Sequence, residues 1–289
     1  LVLVLMLGSF TRNMIYPAPP VAVPSPPPGG LEEVRLELPE GGRATAWAEV
    51  PEGTTPEAPV ALFFHGNGEN LETMRRAGVF GELRDLGVVF LVAEYPGYGR
   101  SPGRPSEDGV LATGEAALAW AREHHPRRPV VVAGWSLGAA VALRTAAEHP
   151  DAVAGLVAMS PWTTLADVAS VHFPAFLVRW LVPERYDSLE AARRAGADGV
   201  PALVVHGVRD RIIPVEQGER IARALEQAAP RESPPGGDGG GAEGSTVRWV
   251  PVAGAGHNDL LAHREVWRAL ERFLRVVRGA GVAASAPKS

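Results

Sequence analysis

The segment Gly134-Trp135-Ser136-Leu137-Gly138 places a serine between two glycines, directly after an apolar run and before an alanine-rich helical stretch. A strand-to-helix turn this abrupt is strained, and the glycines let the flanking backbones approach closely while the serine hydroxyl stands above a sheet. A serine hydroxyl becomes a nucleophile only with a base within hydrogen-bond reach. His257, in Gly254-Ala255-Gly256-His257-Asn258-Asp259, follows the last apolar run and precedes the last helical stretch, which makes it the candidate base. His65 and His206 also follow strand-like runs, but each sits in a His-Gly turn, where an imidazole bonded to backbone is the simpler role. His124, His125, His149, His172 and His263 read as surface or helix-end residues.

A base of this kind needs a carboxylate to orient it, and Asp210 lies after a strand-like run and between Ser136 and His257 in the chain. Its competing role is a turn-forming aspartate beside Arg209 and Arg211. Asp167, Asp187 and Asp198 share the interval but lack a strand immediately before them. The chemistry implied is acyl transfer to Ser136 and then to water, and the negative charge that develops on the carbonyl oxygen needs N–H donors. The Leu137 backbone N–H supplies one. The glycine-rich turn His65-Gly66-Asn67-Gly68-Glu69-Asn70 supplies the other, assigned to the Asn67 N–H with Gly66 as the near alternative. Such chemistry requires no metal and no cofactor.

The elements that must hold these residues are readable as eight short apolar runs, at 34–38, 45–50, 60–64, 88–93, 130–133, 156–159, 203–205 and 247–252. Helical stretches separate the later ones. Residues 107–124 carry Val110, Gly114, Ala117, Leu118 and Ala121 at helical spacing behind a cap at Ser106, and 259–278 carry Leu260, Trp267, Leu270, Phe273, Leu274 and Val277 on one stripe. Alternation of strand and helix predicts a three-layer α/β fold with a mostly parallel central sheet of about eight strands and a small lid. The first two strands, joined without a helix, suit an antiparallel edge. In such sheets chemistry sits beyond the carboxyl ends of the strands, where the serine, aspartate and histidine all fall.

At 289 residues with 46% hydrophobic and 21% charged residues, the chain is ordinary globular material, and the order of elements favours one catalytic domain. A net charge of -5, with Lys288 the only lysine, excludes the basic surface of a nucleic-acid-binding protein. The absence of cysteine excludes disulfides, a thiolate nucleophile and thiolate zinc sites. Residues 1–16 read as the remnant of a signal peptide or membrane anchor, and 17–30, with seven prolines, as a stiff linker. The domain proper is expected over 31–278, with a lid at about 161–200, a disordered Pro/Gly-rich insertion at about 230–245 and a disordered tail at 279–289. This organisation implies a membrane-anchored or exported protein, with a cytoplasmic location as the alternative.

Several motifs in order, namely His65-Gly66-Asn67-Gly68, the loop Glu94-Tyr95-Pro96-Gly97-Tyr98-Gly99-Arg100-Ser101 with Pro105-Ser106-Glu107, the serine turn, His206-Gly207 with Asp210, and Gly256-His257-Asn258, resemble the α/β-hydrolase superfamily. Within it the chain resembles the bud-emergence-type, often membrane-anchored subgroup. The resemblance covers about 31–274, the Pro/Gly insertion before the final strand being one departure, and implies an esterase- or lipase-like serine hydrolase held near a membrane by its N-terminus.

The substrate expected is a small-molecule or lipid acyl ester, with a thioester included. Trp135, Tyr98 and Trp162 are expected to bind it, the first two lining its pocket and Trp162 from the aromatic stretch read as the lid. A peptidase or amidase on the same fold, and a non-catalytic scaffold, are the alternatives; serine at the turn disfavours an aspartate-nucleophile dehalogenase.

Overall fold

The computed structural model describes residues 15–17, 19, 21–39, 41–174, 178, 184–230 and 246–285. Its strands are β1 (Glu32–Glu37), β2 (Arg43–Glu49), β3 (Val60–Phe64), β4 (Val89–Ala93), β5 (Val130–Trp135), β6 (Gly155–Met159), β7 (Ala202–Gly207) and β8 (Val247–Val252). They form a single sheet in the order β1-β2-β4-β3-β5-β6-β7-β8. Antiparallel pairing is confined to β1–β2 and β2–β4, and every other pair is parallel. The sequence pattern explains the difference. Edge strand β1 alternates buried Val34 and Leu36 with exposed Arg35 and Glu37, whereas Val-Ala-Leu-Phe-Phe of β3 is buried at every position because helices cover both faces.

The helices are α1 (Leu71–Arg76), α2 (Val79–Asp85), α3 (Glu107–His124), α4 (Leu137–Glu148), α5 (Leu165–His172), α6 (Ser188–Ala197), α7 (Val215–Ala228) and α8 (Arg264–Ser285). Successive side chains of a strand point to opposite faces, so the sheet divides the core in two. Leu62, Leu91 and Val132 pack with α3, α4, α6 and α7, while Phe63, Val92 and Val131 pack with α1, α2 and α8. The Ser106 cap expected for α3 is present, its hydroxyl accepting from the Gly109 N–H.

Three local features depart from the sequence reading. A short 3-10 turn, Leu260–Ala262, precedes α8, which therefore starts at Arg264 rather than 259 and continues through the expected tail to Ser285. Alanine is the strongest helix former, and the segment expected as a disordered tail is alanine-rich. The second half of the expected lid belongs to the body: Ala191, Ala192 and Ala195 of α6 are buried against α4 and α7. Phe176, Leu177, Trp180 and Leu181 of the expected lid lie outside the described residues, as does most of the 230–245 insertion. The proline-rich segment, read as a spacer, lies against the domain. Val23 is buried in the core cluster containing Leu31 and Trp47, and the Val21 carbonyl accepts from Asn70 Nδ2. No helix among the described residues is long and apolar enough to cross a membrane, and residues 1–14 of the expected anchor lie outside them.

The loop after β4 ties this end of the sheet together. Glu94 is fully buried and its carboxylate accepts from the Leu71 N–H at 2.7 Å, at the start of α1. Burial pushes its carboxyl from 4.5 up to about 7, against the opposing pull of backbone N–H donors. The folded protein thus binds a proton that the unfolded chain releases near pH 4.5, so stability should fall as pH rises from about 4.5 to 7, by about 3 kcal/mol. Glu94→Gln should flatten that slope, measured as urea unfolding free energy against pH; an unchanged slope would assign it to other groups.

Candidate active site

Ser136 is the hinge between β5 and α4. Its backbone sits at φ 56 and ψ -114, outside the ordinary regions for a residue with a side chain. The reversal is possible because of its flanking glycines: a Cβ on Gly134 would lie 1.9 Å from the Gly138 carbonyl oxygen, and one on Gly138 would lie 1.9 Å from that of Phe64 in β3. The Ser136 N–H is held by the Met159 carbonyl at the end of β6, which fixes the turn across two strands.

The structure brings Ser136, His257 and Asp210 together, although 121 residues separate the first two. Ser136 Oγ lies 3.0 Å from His257 Nε2, and His257 Nδ1 lies 2.7 Å from Asp210 Oδ2. A carboxylate only accepts, so Nδ1 carries the proton and donates it; Nε2 of the neutral ring is then an acceptor for the serine hydroxyl. Asp210 follows β7 and is buried, and its environment is rich in donors. Oδ1 accepts from the N–H groups of Ile212 and Ile213 at 2.9 and 2.8 Å. Oδ2 also accepts from Ser160 Oγ at 3.2 Å, and His206 Nε2 lies 3.3 Å away. Burial pushes this carboxyl up, but the bonds from His206, His257 and Ile213 outweigh it and hold Asp210 well below the ordinary carboxylate range.

The other two histidines that follow strands are backbone-bound, as their turns implied. His65 Nδ1 donates to the Gly66 carbonyl, and burial pushes its pKa down to about 4. His206 Nε2 donates to the Ile213 carbonyl at 2.9 Å while reaching Asp210, a second contact that its turn did not reveal.

A cavity of about 250 Å³ opens at the serine, lined by Trp135, Trp162, Leu137, Asn67, Ile213 and His257 among others. Trp135 packs on the His257 ring with centroids 5.4 Å apart, and it comes so close to Gly66 that a Cβ there would lie 2.7 Å from the indole. The Leu137 N–H belongs to the first turn of α4 and has no acceptor within the helix. Asn67 lines the same cavity, its side chain clamped: Oδ1 accepts from Tyr98 and Nδ2 donates to the Ile15 carbonyl. Tyr98 therefore does not line the cavity. Its ring is buried, its hydroxyl satisfied by donating to Asn67 Oδ1, and it positions that loop.

Sequence reasoning missed Ser160, which directly follows β6 and takes a left-handed φ of 44. Its place just past a strand end was the available signal. It also missed Tyr16 and Tyr186, which line the same cavity and which no motif marks.

The partners of Asp210 imply a stability effect with a definite sign. A carboxyl depressed in the folded state contributes stability above its unfolded value of 3.8, lost as pH falls through the folded value. Ser160→Ala removes one donor and raises the folded value, so acid unfolding followed by circular dichroism should begin at higher pH. The cost at neutral pH should be about 1 kcal/mol. An acid midpoint equal to wild type would show that Ser160 does not support the carboxylate.

Comparison with known proteins agrees with this architecture. Residues 59–182 match the family described as alpha/beta hydrolase fold. An uncharacterized protein of Mycobacterium tuberculosis is 35% identical over 278 residues, covering 94% of this chain and 89% of that protein. Protein bem46 of Schizosaccharomyces pombe is 28% identical, covering 73% of each. Lysophosphatidylserine lipase ABHD12 of Danio rerio is 26% identical, over 64% of this chain and 56% of that protein. Among solved structures, an esterase of Pyrococcus furiosus superposes with a TM-score of 0.68 at 18% identity, covering 91% of this chain and all of that one. With its eight-stranded sheet and its family match, the chain belongs to the α/β-hydrolase family, and bem46 is among the members it resembles.

Proposed function

We propose that the chain is a serine hydrolase that cleaves carboxylic ester or thioester bonds through an acyl-enzyme, with Ser136 as nucleophile, His257 as general base and Asp210 as the group that orients and charges it. The observation that carries this reading is the continuous hydrogen-bond path from Ser136 Oγ through the imidazole to a carboxylate held ionised by its neighbours. Ester substrates are further supported by the lipase among the relatives and by a cavity wall rich in aromatic and aliphatic side chains.

In this mechanism Ser136 Oγ attacks the carbonyl carbon as its proton passes to His257 Nε2. The oxyanion meets the N–H groups of Leu137 and Asn67, the first strengthened by the positive end of α4. His257 then protonates the departing alcohol or thiol, and the C–O or C–S bond breaks. Water enters, loses a proton to His257 and adds to the acyl carbon; collapse returns the proton to Ser136 and releases the acid. Asp210 stays ionised throughout and stabilises the imidazolium formed in each half. The apolar run at residues 1–7 supports a membrane-anchored or exported location for this activity.

Hydrolysis of p-nitrophenyl esters from acetyl to palmitoyl tests the reading. Ser136→Ala should abolish turnover, by a factor of at least about 10⁴, and Asp210→Asn should lower kcat by about 10⁴ while the fold persists by circular dichroism. A fluorophosphonate should label wild type and not Ser136→Ala. Wild type that neither hydrolyses any ester nor takes the label removes the assignment.

A further inference from the structure

The N-terminal segment reaches the candidate active site itself. Tyr16 is 4% exposed, and its hydroxyl lies 2.6 Å from that of Tyr186, a bond joining residues 170 apart in the chain. Both rings line the cavity that opens at Ser136. The segment is fastened at several points: the Ile15 carbonyl accepts from Asn67 Nδ2, the Val21 carbonyl accepts from Asn70 Nδ2, and Val23 is buried in the core.

Tyr186 is fastened as firmly from the other side. It holds a left-handed φ of 41, a conformation that costs of order 1–3 kcal/mol in a residue with a side chain. Glu107, in the first turn of α3, compensates, its two carboxylate oxygens accepting from the N–H groups of Arg185 and Tyr186 at 2.7 Å each. The Trp162 ring meets Tyr186 edge to face at 6.2 Å, and Leu165 and Val168 of α5 line the cavity with them. Burial pushes both phenols well above their ordinary pKa, so the pair stays neutral. The wall is thus aromatic and aliphatic: the two phenol hydroxyls are spent on each other, and the buried Trp162 Nε1 has no hydrogen-bond partner. Such a surface suits hydrocarbon, and the cavity of about 250 Å³ is smaller than most ligand pockets, roughly 300–1,000 Å³.

We propose that Tyr16 is a specificity-determining residue of this cavity: bonded to Tyr186, it forms a fixed wall that limits the length of the acyl chain the site accepts. The proposal rests on the ester-hydrolase reading for its turnover assay alone. The chain supplies in cis, from a segment that precedes the first strand, a part of the pocket that the sheet and its crossovers leave open.

The test uses the full chain with Tyr16→Ala, Tyr16→Phe and Tyr186→Phe. On the p-nitrophenyl ester series, Tyr16→Ala should raise the kcat/KM ratio of decanoyl to acetyl ester by at least about tenfold, the scale on which hydrophobic pockets discriminate small differences in chain length. Tyr16→Phe and Tyr186→Phe each remove the same hydrogen bond with little loss of volume, so they should give a smaller and mutually equal shift that their combination does not exceed. Binding of straight-chain fatty acids from butanoate to palmitate to a Ser136→Ala background, read by tryptophan fluorescence, asks the same question without turnover. Tyr16→Ala should lengthen the best-bound acid. An unchanged ester ratio, an unchanged optimum in binding, or no binding of any acid to the Tyr16→Ala variant overturns the proposal. Should wild type prove inert to esters and fluorophosphonate, the hydrolase reading falls and the fatty-acid series alone decides for or against Tyr16.

Discussion

Everything at the carboxyl end of this sheet depends on one backbone reversal. Between β5 and α4 the chain must turn from extended to helical within a single residue, and Ser136 carries that turn in a conformation that an L-residue resists. The turn closes only if β3, β5 and α4 pack backbone to backbone, which Gly134 and Gly138 permit by having no Cβ. Once closed, it sets the serine hydroxyl on the tip of the central strands, the Leu137 N–H beside it and the axis of α4 pointing its positive end at both. Any side chain at either glycine would separate the three elements and carry the hydroxyl away from His257.

The electrostatic counterpart is Asp210. A buried carboxylate is costly unless its lone pairs are filled, and here two backbone N–H groups, a serine hydroxyl and two imidazoles surround it. These donors come from the β6 end, the β7 end and the loop after β8, so the charge is stable only while those strand ends keep register. The sheet and the charge therefore hold each other in place: parallel pairing of β6, β7 and β8 delivers the donors, and the carboxylate fixes the loops that those strands release.

What the sequence made readable follows from where local chemistry decides the outcome. The inner strands emerged from short apolar runs because both of their faces are buried, whereas edge strand β1 showed as an alternation of apolar and charged residues. Ser136 and its glycines stood out since strain restricts the residues that fit, and His257 and Asp210 followed from chain order. The sequence marked the Asn67 loop, which lines the cavity, but not that Tyr98 bonds to its side chain. A buried tyrosine and a pocket tyrosine carry the same local signal, and only the position of Asn67 distinguishes them. Tyr16 was unreadable for the same reason. Prolines dominate the composition of its segment, and its partner is 170 residues away.

Among the described residues, the left-handed residues other than glycine are Ser136, Ser160 and Tyr186; Ser136 and Tyr186 line one cavity, and Ser160 is buried beside Asp210. Each is held by a different device: packed glycines for Ser136, a carbonyl of β7 accepting the Ser160 N–H, and the Glu107 carboxylate for Tyr186. Strain of this kind persists only where surrounding structure over-determines the conformation. At Ser136 it aims a hydroxyl, at Ser160 it turns a donor toward Asp210, and at Tyr186 it presents a ring to Tyr16. The third case has no counterpart in the hydrogen-bond path of the triad. A fold that maintains strain at Tyr186 with the first turn of α3, and meets it with a segment from before β1, treats that wall as part of the site and not as its cover.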